Sequence, residues 1–199
     1  MRAGIRSILG GVVMTMAAGC GLLAPKAPPP PPPAPPVAAI DDDQHLAWAE
    51  SERYFVIVRK ACRTLDVYRM GERIRSYAVV FGLNRSGSKL YEGDLRTPSG
   101  LYMIVDKRPH PRWGEFLLLD YPNLQDLHRY WLAMESGDLP RRGRGYAGVG
   151  GAVGIHGTDK PSLNARGFDW TWGCISLSNG DVIDLASLVP VGTLVLIED

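Results

Sequence analysis

Three cysteines in 199 residues are too few for a disulfide-stapled scaffold. Charge of one sign is also missing: 22 Lys and Arg stand against 21 Asp and Glu, a formal net charge of +1. That balance excludes a protein that works through a large basic field, so nucleic acid is not an expected partner. There is no His-Glu-x-x-His or paired-cysteine signature, and no zinc site or other metal is expected. Internal repeats and a regular βαβ alternation are absent too. The chain does have 45% hydrophobic residues, enough for a sizeable core, and 16 prolines that are unevenly placed.

The prolines separate an address from a fold. Arg2 and Arg6 precede an apolar run from Ile8 to Ala18. That run is short of the roughly 20 residues that span a bilayer, and with its small-residue end it fits a secretory signal peptide. Ala17-Ala18-Gly19-Cys20 resembles the lipobox of bacterial lipoproteins, with Ala17 where that motif prefers Leu. The resemblance implies that Cys20 is acylated and becomes the first mature residue. Gly21, where inner-membrane lipoproteins commonly carry Asp, points to the outer membrane. Pro28 to Pro33 is unbroken. The stretch 25–36, as polyproline II, makes a semi-rigid spacer of about 35–40 Å. The expected organisation is a signal peptide over 1–19, a lipid-anchored Pro-rich linker over 20–46 and a catalytic domain over 47–199. Asp41-Asp42-Asp43 is expected to be a solvated flank.

The remainder predicts a mainly β domain with a few helices, a β-rich α+β fold. Tyr54 to Val58, Arg63 to Tyr68 and Ile74 to Phe81 carry strand patterns around a turn at Gly71, which together predict a β-meander. Leu101 to Val105, Phe116 to Tyr121, Ala152 to Ile155 and Thr193 to Ile197 add four strands. Leu124, Leu127, Trp131 and Leu132 recur at helical spacing, so a helix is expected over Asn123 to Glu135, with Gly137 at its stop. A second helix is expected from Ser178 or Asn179. Gly143-Arg144-Gly145-Tyr146-Ala147-Gly148 matches G-x-G-x-x-G but lacks the flanking strand and helix of a dinucleotide site, and predicts a flexible loop. Arg141, Arg142 and Arg144 are expected to be solvated there.

Cys62 reads as a small, semi-buried hydrophobe, while Cys174 has a different setting, Asp169-Trp170-Thr171-Trp172-Gly173-Cys174-Ile175. Eighteen residues upstream, His156 closes a predicted strand, and a strand-loop-strand excursion could bring the two together. An imidazole there would lower the thiol pKa, so Cys174 is expected to react below the pH of about 8.5 typical of free cysteine. Gly157 could leave a carbonyl free to orient the imidazole. The N–H groups of Gly173 and Cys174 could form an oxyanion site. On residue types alone, an acyl-transfer pair and two packing residues are both open. Trp170 and Trp172 could wall a pocket or belong to the core. Arg96 could bind a substrate carboxylate or brace a loop. His45, His110 and His128 have no partner spacing.

Three ordered blocks carry a resemblance. Ile155-His156-Gly157-Thr158 with Gly173-Cys174-Ile175-Ser176-Leu177-Ser178-Asn179, the segment Glu92-Gly93-Asp94-Leu95-Arg96-Thr97-Pro98-Ser99-Gly100-Leu101-Tyr102, and the ending Val189-Pro190-Val191-Gly192-Thr193 resemble the L,D-transpeptidase (YkuD-like) catalytic family over roughly residues 50–199. The resemblance implies that family's β-sandwich or barrel. It implies Cys174 as nucleophile toward a peptidoglycan stem peptide before a terminal D-Ala, and His156 as its base. The Gly157 carbonyl would set the imidazole tautomer. Arg96, Thr171, Trp172 and Gly173 are the implied substrate contacts, and no cofactor is implied. Two departures stand out. Trp172 lies where many members carry His, and Ser176 lies where many carry Arg. They bear on the acceptor, which among relatives is a stem amine, a wall-linked lipoprotein or water. The alternatives are therefore a hydrolase of the same fold and a non-catalytic wall-binding tether.

Overall fold

The computed structural model describes residues 53–199. The signal, anchor and linker assignments, with Cys20, Asp41 to Asp43 and His45, lie outside the described residues. The chain runs β1 (Tyr54–Arg59), β2 (Thr64–Arg69), β3 (Glu72–Ala78), β4 (Gly100–His110), β5 (Gly114–Leu119) and α1 (Leu124–Ser136). It continues through β6 (Arg141–Arg142), β7 (Gly145–Tyr146), β8 (Gly154–His156), α2 (Pro161–Ala165), β9 (Ile175–Ser176), α3 (Asn179–Leu188) and β10 (Leu194–Glu198).

Eight strands form one sheet in the order β3-β2-β1-β10-β4-β5-β8-β9. Alternation dictates its inner face: Val56 and Val58 of β1, Leu65 and Val67 of β2, and Val195 and Ile197 of β10 are all essentially inaccessible to solvent. The meander β1-β2-β3 is antiparallel as expected. Two pairings, β1 with β10 and β8 with β9, are parallel, and local pattern gave no sign of either. Just past β3, Val80 and Ser176 exchange backbone hydrogen bonds of 3.0 and 2.9 Å. The two ends of the strand order thereby meet, and the sheet curls toward a barrel. This agrees with the expected β-rich class. No helix among the described residues is long and apolar enough to cross a membrane.

Several boundaries differ from expectation. The third strand ends at Ala78, and β4 extends to His110. The G-x-G-x-x-G segment is not a plain loop, because its first half is the turn of the β6–β7 hairpin. Helix α1 forms where expected, with Asn123 as N-cap and Gly137 as a left-handed C-cap. Its apolar stripe, however, faces solvent: Leu124 is 86% exposed and Trp131 54%. The residue α1 buries is Asp126, which accepts from Tyr102 Oη at 2.9 Å and pairs with Arg129. Cys62 is exposed rather than semi-buried. Neither Cys62 nor Cys174 is in a disulfide.

Candidate active site

The crossover from β8 through α2 to β9 sets the register of the site. Ile155 pairs with Ile175 and His156 with Ser176. Both isoleucines are fully buried, and burying each contributes about 1.5–3 kcal/mol. Their packing holds the end of β8, with His156, against the loop that delivers Cys174. The predicted excursion therefore does return the chain, though as a parallel crossover through a short helix.

His156 is 2% exposed. Its Nδ1 lies 2.6 Å from the Gly157 carbonyl oxygen. A carbonyl only accepts, so Nδ1 carries the proton and Nε2 of the neutral ring is left as the base. Gly157 is required by close approach. A Cβ there would lie 2.2 Å from the Trp113 carbonyl oxygen and 2.3 Å from Asn179 Oδ1. The same carbonyl of Gly157 accepts from Ser176 Oγ at 2.9 Å. Ser176 in turn accepts from Asn164 Nδ2 at 3.1 Å, and Asn164 Oδ1 accepts from Trp170 Nε1 at 2.8 Å. Ser176 is thus fully buried and supports the imidazole from behind. That is not the acceptor-facing place expected for it.

Aromatic rings clamp the imidazole. Trp113, from the β4–β5 turn, stacks on His156 with centroids 4.2 Å apart and 21° between planes. His110 stacks on Trp113 at the same spacing. Trp170 meets His156 edge-on at 5.9 Å. Burial pushes the His156 pKa down to about 4, only partly opposed by the Gly157 hydrogen bond; the His110 charge lowers it further and Asp159 raises it.

The Cys174 loop is tied by Thr171. Its hydroxyl donates to the Cys174 carbonyl at 2.7 Å and accepts from the Gly173 N–H at 3.2 Å. The Gly173 N–H is therefore committed inside the loop, contrary to the expected pair of oxyanion donors, which leaves the Cys174 N–H as the candidate. Gly173 has φ +136°, and a Cβ there would lie 2.6 Å from the Arg96 carbonyl oxygen. The Cys174 thiol donates to the Ala152 carbonyl at 3.7 Å. Burial pushes its pKa up, against a backbone hydrogen bond at Gly154 and the charge of Lys89. In the resting site desolvation thus opposes the expected depression of the thiol pKa.

Cys174 and His156 line one cleft of about 360 Å³, together with Thr171, Trp170, Trp172, Trp113, Arg112 and Lys160. Both tryptophans that sequence left undecided therefore wall the cleft, and Trp172 is 79% exposed at it. Arg96 and Gly173 are not among the lining residues. Arg96 is half-buried, and its Nε has no hydrogen-bond partner. The block that contains Arg96 braces the nucleophile loop from behind. Buried Asp94 accepts from the N–H groups of Leu90, Tyr91 and Arg96 and pairs with buried Lys89 at 2.9 Å. Thr97 Oγ1 accepts from the Gly82 N–H at 3.0 Å. Lys89, Asn164 and Trp113 were missed by sequence reasoning. Only the Asp94 block, read for its motif, offered a signal for any of them.

Comparison with known proteins agrees with this architecture. The chain matches the model of the L,D-transpeptidase catalytic domain, YkuD, over residues 52–197. It is 30% identical over 144 residues to the YkuD protein of Bacillus licheniformis, covering 72% of this chain and 65% of that protein. It is 27% identical over 144 residues to the YkuD protein of Bacillus subtilis, with the same coverage. The chain thus spans about 65% of the length of these curated relatives. Among solved structures, the helical cell shape determining protein Pgp2 from Campylobacter jejuni superposes with a TM-score of 0.52 at 24% identity, covering 73% of this chain and 47% of that one.

Proposed function

The chain belongs to the L,D-transpeptidase catalytic domain family, and from that premise we propose that it is a cysteine acyl-transferase acting on peptidoglycan stem peptides. One observation carries the proposal. Cys174 and His156 share a cleft, and the His156 Nδ1 proton is committed to the Gly157 carbonyl, leaving Nε2 as base. In the reaction, Cys174 Sγ attacks the carbonyl that follows the L-centre of the diamino acid while His156 Nε2 takes the thiol proton. The Cys174 N–H donates to the developing oxyanion. Collapse breaks the C–N bond, His156 returns the proton to the leaving D-Ala amine, and a Cys174 thioester remains. An acceptor amine attacks the thioester and gives its proton to His156; the C–S bond breaks, and His156 returns that proton to the departing Cys174 sulfur. Thr171 and Trp172 border the substrate, while Gly173 and Arg96 support the loop. The site lies in the periplasm, tethered by acylated Cys20 in the outer membrane.

The test is mass spectrometry of muropeptides after incubating the full chain with tetrapeptide stems and intact sacculi, beside Cys174→Ala. Dimers formed with loss of D-Ala, absent in the variant, are expected. Shortened monomers without dimers would make the chain a hydrolase. Products unchanged by Cys174→Ala would remove the cysteine mechanism altogether.

A further inference from the structure

The position of His156 fixes which way a donor stem lies. The leaving amine must reach His156 Nε2, so the departing D-Ala occupies the His156 side of Cys174. Its carboxylate carbon is only two bonds beyond the amine nitrogen. The cleft lining carries two cations, Arg112 and Lys160. Arg112 is already matched by Asp159, which also accepts from Trp113 Nε1 at 3.4 Å. The lysines in ion pairs among the described residues are Lys60 and Lys89, with Asp199 and Asp94. Lys160 is in none. Its Nζ lies 4.6 Å from the centroid of Trp170, the ring whose edge meets His156. An ammonium held over an indole face keeps its N–H donors for a third group. Asp159, the nearest acid in sequence, is turned to Arg112 and Trp113 and so does not neutralise Lys160.

Resting on the proposed reading of this cleft, we infer that Lys160 binds the terminal carboxylate of the departing D-Ala. The site thereby selects stems that end in a free carboxylate one residue past the scissile bond. Cation and base both meet Trp170 in the cleft that holds the nucleophile, so the group that anchors the leaving residue also brings its amine toward His156.

The test uses the full chain with Cys174→Ala, so that binding is read without turnover. A tetrapeptide stem and the same stem as its C-terminal carboxamide are titrated by calorimetry with Lys160, Lys160→Met and Lys160→Arg. With Lys160 the carboxylate stem is expected to bind at least tenfold more tightly than the carboxamide, a modest value for a charge-assisted contact. The ratio should fall toward one in Lys160→Met and return in Lys160→Arg. A merely structural role for Lys160 over Trp170 would weaken both ligands alike and leave the ratio intact, which overturns the inference. Equal binding of both stems with Lys160 present also overturns it, while leaving the enzyme reading untouched. If neither stem binds and the chain with Cys174 makes no product from either, both readings fall together.

Discussion

The protonation of Cys174 and His156 makes a sharp prediction about thiol chemistry. An ordinary thiol with a pKa near 8.5 is about 3% thiolate at pH 7. Burial raises Cys174, so its resting thiolate fraction lies below that. With the imidazole at about 4, only about one His156 in a thousand is charged at pH 7. Moving the proton from sulfur to imidazole is then uphill until the developing charges attract each other, because burial raises the thiol and lowers the imidazole. The resting pair is therefore thiol and neutral imidazole, and proton transfer accompanies attack rather than preceding it. The assay is the rate of alkylation by iodoacetamide against pH, for the folded chain and for His156→Ala. The folded chain should titrate above the pH of a free cysteine. At neutral pH His156→Ala should change the alkylation rate by less than about threefold, because there is no ion pair to lose, whereas acyl transfer should fall by about two to four orders of magnitude. A rate plateau reached below pH 7 and abolished by His156→Ala would refute the reasoning and establish a preformed ion pair.

Four further variants follow from the same contacts. Ser176→Ala removes a buried hydroxyl that donates to Gly157 and accepts from Asn164, so urea unfolding should show a loss of about 1–2 kcal/mol. With one fewer donor on the Gly157 carbonyl, that oxygen stabilises the imidazolium better. The acid limb of kcat/KM, set by a His156 pKa of about 4, should then move to higher pH. Gly173→Ala places a Cβ 2.6 Å from the Arg96 carbonyl at φ +136°; activity should fall at least a hundredfold while far-UV circular dichroism keeps the β signature. Lys89→Met strands the buried Asp94 carboxylate and should cost about 3–5 kcal/mol by urea unfolding. Burial alone would raise the Asp94 carboxyl, but three backbone N–H groups and Lys89 hold it below the usual range. A depressed folded pKa gives stability that is present above the unfolded value, about 3.9, and lost as pH falls through the folded one. Urea midpoints between about pH 5 and pH 2 should therefore fall less steeply in Asp94→Asn.

What sequence showed and what it hid divide along a physical line. Strands β1, β2 and β10 were legible because alternating Val, Ile and Leu fix one face of a sheet. His156, Gly157 and Cys174 were legible because each sits in a short motif whose members are neighbours in the chain. The register of β8 on β9 was not legible, since a three-residue strand and a two-residue strand carry too few positions to show a period. Helix α1 shows the same limit from the other side: its spacing was right but gave no sign that Asp126 is the buried residue, because the partner that draws it inward, Tyr102, comes from β4. The desolvation of the site was hidden for a related reason. A motif displays the imidazole beside the thiol, but desolvation comes from Trp113 in one turn, Trp170 in another loop, and the two sheet edges that meet at Ser176. Of the two departures that sequence assigned to the acceptor, Ser176 thereby changes meaning. A serine buried under the Gly157 carbonyl cannot greet an incoming amine. It sets how firmly the base is held, which leaves exposed Trp172 as the departure that faces the cleft.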